Sequence, residues 1–116
     1  MDSIFTSAII QIDVRHTACF GYGSYTLTIT RKRKKINCHS VFIINANKPE
    51  TLTEVLTDLA LQKVKDFCVN GLHNTGSVFS TSKDLFIISA GKKHVAFILD
   101  AFNVSYLDAL RMLVQK

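Results

Sequence analysis

Five consecutive cations, Arg31-Lys32-Arg33-Lys34-Lys35, form the densest chemical feature of the sequence. Like charges at this spacing repel, so the run must be solvent-exposed and is stabilised by an anionic partner. Lys92 and Lys93 would extend the patch if the two segments meet at one end of a sheet, which would bring seven of the fourteen Lys and Arg residues together. Phosphate backbones are the commonest cellular partner for such a patch, because each neutralised phosphate releases condensed counterions. The run also matches a basic nuclear-import signal, and it has the charge to bind anionic lipid or an acidic protein segment. A purely solvated turn that protects a sheet edge is the plainer reading. Phe20 and Tyr22, interleaved with Gly21 and Gly23 just before the basic strand, could stack on unpaired bases beside the cations. No RNP aromatic pattern, GXXG loop or helix-turn-helix accompanies them.

The remaining reactive side chains offer less. His16 and Cys19 have the spacing of a metal-ligand pair, and Cys38-His39 could complete a site, but neighbours on a strand point to opposite faces. Free thiols packed in a core are the simpler expectation, and no metal or other cofactor is expected. Three cysteines, Cys19, Cys38 and Cys68, cannot all pair within one chain, which fits a reducing compartment. Neither a phosphate-binding loop nor a Gly-x-Ser-x-Gly elbow occurs. Asp13, Glu54 and Asp108 are the only carboxylate set with an enzymatic rationale, since converging carboxylates can bind two Mg²⁺ ions and activate water against phosphodiesters.

The order Asp13, Glu54, Asp108 resembles the ribonuclease H-like superfamily, in its pattern of carboxylates alone. That resemblance implies metal-binding roles for an Asp on the first strand, a Glu on the first helix and an Asp on the last helix. Where the family places a further Asp, this chain has Ser80-Thr81-Ser82, with Asp84 later. Glu54 and Asp108 also fit capping positions after Thr51 and Ser105. A metal-dependent nuclease is therefore the alternative to a module without catalytic activity.

The elements that must position these groups follow from periodicity. Ile10, Ile12 and Val14 alternate with polar residues over Ile9–Arg15, predicting a strand. Gly21 and Gly23 suit a turn, Tyr25–Thr30 a second strand and Ile36–Ile44 a third, with the basic run at or beside the bend between them. Pro49, Thr51 and Glu54 predict the start of a long helix with Leu52, Val55, Leu56, Leu59, Val64, Phe67 and Cys68 on its apolar face and Gly71 as its stop. Ser77–Phe79, Leu85–Ile88 and His94–Leu99 carry strand composition, with a hairpin loop over Ala90–Lys93. A last helix, capped by Asn103 or Ser105, would bury Tyr106, Ala109, Leu110, Leu113 and Val114.

The expected fold is α+β, a mostly antiparallel five-stranded sheet with two amphipathic helices in the order βββαββα. At 116 residues, 47% apolar and with a single proline, residues 1–116 read as one compact domain. No stretch has the length of a membrane span, and no secretory signal is apparent near the start, so an intracellular, cytoplasmic protein is expected, with nuclear import through Arg31–Lys35 as a further option. The leading expectation is a small basic module that engages nucleic acid, RNA included, or an acidic protein surface through Arg31–Lys35 and Lys92-Lys93. This would suit an accessory or regulatory protein, viral and phage ones included. A third expectation is a homodimer or larger self-assembly acting as a scaffold.

Overall fold

The computed structural model describes residues 1–18, 21–45, 47–74, 82–101 and 106–114. Its elements run α1 (Asp2–Phe5), β1 (Ile9–Ala18), β2 (Gly21–Lys32), β3 (Lys35–Ile44), β4 (Glu50–Leu56), α2 (Asp58–His73), β5 (Lys83–Ala90), β6 (Lys93–Asp100) and α3 (Tyr106–Val114). The fold is α+β, as expected, but with six strands and three helices among the described residues. All pairings are antiparallel in the order β4-β3-β2-β1-β5-β6. Neighbours in sequence are neighbours in the sheet except where α2 carries the chain back from the β4 edge to the far side of β1. No described helix is long and apolar enough to cross a membrane.

One face of the sheet holds the core. Ile10, Ile12 and Val14 of β1 lie opposite Ile29, Leu27 and Tyr25 of β2, and Phe86 and Ile88 of β5 sit on the other flank. Period-2 alternation thus buries a continuous apolar layer, which α2 covers with Leu61, Val64 and Cys68 and α3 with Leu107, Leu110 and Val114. Phe86 and Phe97 stack 5.0 Å apart on this face. Gly71 lets α2 approach that pair, since a β-carbon there would stand 2.7 Å from the Phe97 ring. The opposite face carries Thr26, Thr28, Gln11 and Asn37 along its centre.

Four expectations need correction. The segment read as the start of the long helix is edge strand β4, and the helix is capped by Thr57, whose Oγ1 accepts from the Ala60 amide at 3.0 Å. Glu50–Leu56 satisfies both periods, but Thr51, Thr53 and Val55 favour a strand, and β3 offers an edge for it. Gly71 lies inside α2 and not at its stop, which falls after His73. Gly21 and Gly23 are part of β2 rather than a turn. Helix α1, whose Ile4 and Phe5 are buried, was not expected from periodicity because it is a single turn. The expected strand Ser77–Phe79 and caps Asn103 and Ser105 lie outside the described residues.

Candidate functional site

The register fixes where the cations go. Ile9 at the start of β1 pairs with Thr30 near the end of β2, and Gln11 pairs with Ser89 near the end of β5. The β2–β3 and β5–β6 turns therefore project from the same end of the sheet, three strand spacings or roughly 14 Å apart. Arg33 and Lys34 form the first turn between the paired Lys32 and Lys35, and Gly91 and Lys92 form the second between Ala90 and Lys93. Lys32, Arg33, Lys34, Lys35 and Asn37 line a concavity of about 650 Å³.

Arg31, Lys32, Arg33, Lys34, Lys35, Lys92 and Lys93 are all exposed. Among the described residues, no ion pair engages any of the seven. Arg31 has a second role: its Nη2 donates to the Phe5 carbonyl at 2.7 Å, pinning α1 to the sheet. Nearby, Asp2 pairs with Lys65 at 2.6 Å, and that ammonium group holds the Asp2 carboxyl below the usual carboxylate range.

The two turns share an unusual backbone. Arg33 has φ 61° and Gly91 has φ 61°, each at the first position of its turn. Glycine enters this left-handed region freely, whereas a side chain there costs roughly 1 kcal/mol. The β2–β3 turn thus carries arginine where glycine would be easier.

The structure does not bring every expected residue to this end. Tyr22 is exposed, but it pairs with Thr17, about 30 Å along β2 from the basic turn. Phe20 and Cys19 lie outside the described residues. Cys38 is buried on the core face, while His39 faces the other way and meets Thr53 Oγ1 at 2.9 Å through Nδ1. The carboxylates diverge as well. Asp13 lies on the helix-free face, bonded to Gln11, whereas Glu54 lies across the sheet opposite Cys38, on β4 and not on a helix, and Asp108 sits on α3. Among the described residues, no group of three or more His, Cys, Asp or Glu side chains is placed to hold a metal ion.

The opposite end of the sheet holds a second polar centre that sequence reasoning missed. Asp84 of β5 is fully buried. Its Oδ1 meets His16 Nδ1 at 2.5 Å, and its Oδ2 accepts from the backbone amides of Tyr106 and Leu107 at 2.6 and 3.1 Å. One carboxylate therefore joins β5, β1 and the first turn of α3, and satisfies amides that a helix start otherwise leaves unpaired. A sequence signal for it exists. His16 continues the buried parity of Ile10, Ile12 and Val14, and Asp84 that of Phe86 and Ile88, so each strand carries a polar residue where its pattern calls for an apolar one.

No protein-family model matches this chain, and no curated protein matches it in sequence.

Proposed function

We propose that this chain is a binding module that docks on the phosphate backbone of nucleic acid through the two basic turns at one end of its sheet. The observation that carries this reading is the placement of seven exposed cations at that end, without an ion-pair partner among the described residues. Arg33 in a backbone position that favours glycine supports it, because the sequence keeps a charge at the tip against local conformational preference. The mechanism is electrostatic. Lys32, Arg33, Lys34 and Lys35 line a concavity that a phosphate chain can enter, while Lys92 and Lys93 reach phosphates farther along the strand. Tyr22 lies too far away to stack on bases held there, so the reading rests on backbone contacts and implies little sequence preference.

The test is fluorescence anisotropy with labelled single- and double-stranded DNA and RNA, titrated across a range of salt concentrations. Salt-sensitive binding is expected, with log K falling against log salt at a slope of about −4 or steeper. The triple variant Arg33→Glu, Lys34→Glu, Lys35→Glu, which leaves the structural Arg31 in place, should weaken binding about 100-fold at low salt and flatten the slope. Absence of binding to every nucleic acid at low salt would reject the reading and leave an acidic protein surface as the partner to seek.

A further inference from the structure

The helix-free face of the sheet has the composition of a covered surface. Val41-Phe42-Ile43-Ile44 in β3 and Leu85-Phe86-Ile87-Ile88 in β5 are unbroken apolar runs. Phe42, Phe86 and Ile88 are buried in the core, so Val41 and Ile43 of β3, and Leu85 and Ile87 of β5, stand outward as two ridges. Strands that read as apolar on both faces are those buried on both faces, whereas a solvated sheet face is polar at alternate positions. Between the ridges, β2 and β1 present Thr26, Thr28, Ser24 and Gln11. From the row of Asn37 to the row of Ile43, the outward positions of β3, β2, β1 and β5 hold no Lys, Arg, Asp or Glu other than Asp13 and Arg15. Depletion of charge marks the centre of an interface.

The register makes this face complementary to itself. Phe42, Tyr25, Val14 and Phe86 form one row across the core side of β3, β2, β1 and β5. The outward residues just before and after each of them match in kind: Val41 with Ile43, Thr26 with Ser24, and Leu85 with Ile87. Asp13 and Arg15, on either side of Val14, match in opposite charge. A two-fold axis that crosses the strands at this row, in the plane between two stacked copies, sets each residue against its counterpart in the second copy. Ridge then meets ridge, hydroxyl meets hydroxyl, and Asp13 faces the partner's Arg15 at two symmetric points. Within the chain, Gln11 Nε2 donates to Asp13 Oδ2 at 3.2 Å, and among the described residues no ion pair engages Asp13 or Arg15.

We infer that the helix-free face is the interface of a homodimer in which two copies of the sheet stack face to face about this axis. A sheet six strands wide and about eight residues deep offers roughly 800 Å² per copy, the share that each partner contributes to a stable interface of standard size. Aligned sheets pack at roughly 30°, which displaces β3 and β5 by under about 4 Å, within reach of their side chains. A two-fold axis along the strands would instead set Asp13 against Thr26 and gather both copies' basic turns at one end. The axis across the strands places those turns at opposite ends of the dimer, roughly 50 Å apart and well beyond the ~10 Å over which charges interact in 0.1 M salt.

Sedimentation equilibrium of the full chain over about 1–100 µM tests the assignment, independently of what the basic turns bind. A reversible dimer with a dissociation constant of about 10 µM or tighter is expected. Asp13→Arg and Arg15→Asp each set like charges together at both symmetric points, so each should weaken dimerisation at least about 100-fold. The two substitutions combined restore opposite charges in exchanged order and should return the constant to within about tenfold of wild type. Ile87→Glu on one ridge and Val41→Glu on the other should each yield monomer at about 100 µM with an unchanged circular dichroism spectrum, and either suffices should the other fail to fold. A wild-type monomer at about 100 µM would overturn the assignment. So would a dimer that survives in either folded ridge variant, as one joined edge to edge through β4 would, or a charge exchange that associates no better than the single reversals.

Discussion

The two ends of the sheet handle charge in opposite ways. At the β2–β3 and β5–β6 turns, cations stand in water, and no described carboxylate pairs with any of the seven. At the other end a single carboxylate is withdrawn from water and receives three N–H groups, one from strand β1 and two from helix α3. Exposed charge adds little to folding and remains available to a partner. Buried charge is committed to the fold, because its desolvation is offset only while every hydrogen bond is in place. The same chain therefore separates an exposed cationic surface from a structural joint by the length of its strands.

This contrast is sharpest under substitution. Asp84→Ala should have the largest effect on stability, about 3–5 kcal/mol by urea denaturation, since it leaves His16 and two helix amides without their acceptor. A loss below about 1 kcal/mol would mean that the buried carboxylate is not the joint described. Next comes Gly71→Ala, where the added methyl meets the Phe97 ring and should destabilise by about 1–3 kcal/mol. Thr57→Ala removes the α2 cap and should cost about 1 kcal/mol in the same measurement. Arg33→Glu combined with Lys34→Glu should leave stability within about 0.5 kcal/mol of wild type while weakening polyanion binding at least about tenfold at low salt; a large loss of stability would erase the distinction between the two ends.

Alkaline titration probes the layer between them. Burial pushes the Tyr25 hydroxyl up to about 12, the Cys38 thiol up to about 11 and the Cys68 thiol up to about 12. The fold thus favours the neutral form of each. Their contribution to stability is whole below the ordinary values of 9.0 for a thiol and 10.0 for a phenol, and it is lost as pH rises through about 11 and 12. Urea midpoints measured upward from pH 8 should decline above about 9, and a flat profile would contradict the burial of these groups.

Much of the core was legible from local pattern. Ile10, Ile12 and Val14 alternate plainly, and the basic run spans the first turn while Gly91 opens the second, where polar, charged residues interrupt strand composition. Glu50–Leu56 was not legible, because Leu52, Val55 and Leu56 fit a helix face while Thr51, Thr53 and Val55 fit a strand. Pairing with β3 decides between them, and pairing is a property of the sheet rather than of seven residues. The same holds for His16 and Asp84. They are 68 positions apart, so neither spacing nor motif connects them, and only their parity on two strands marks them. The carboxylate order Asp13, Glu54, Asp108 misled for the converse reason, since order along the chain says nothing about which face of a sheet each residue occupies.

The Asp84 joint also bears on how the chain reaches its fold. Its partners lie 68 residues before it and 22 and 23 residues after it, so the His16 bond forms only once β5 has paired with β1, and the two amide bonds only once α3 has been made. Closure of these long-range contacts is entropically slow, whereas the β2–β3 and β5–β6 hairpins are local and quick. Seating of α3 is accordingly a late event on the folding path, and during synthesis the His16 ring waits for a partner made 68 residues after it.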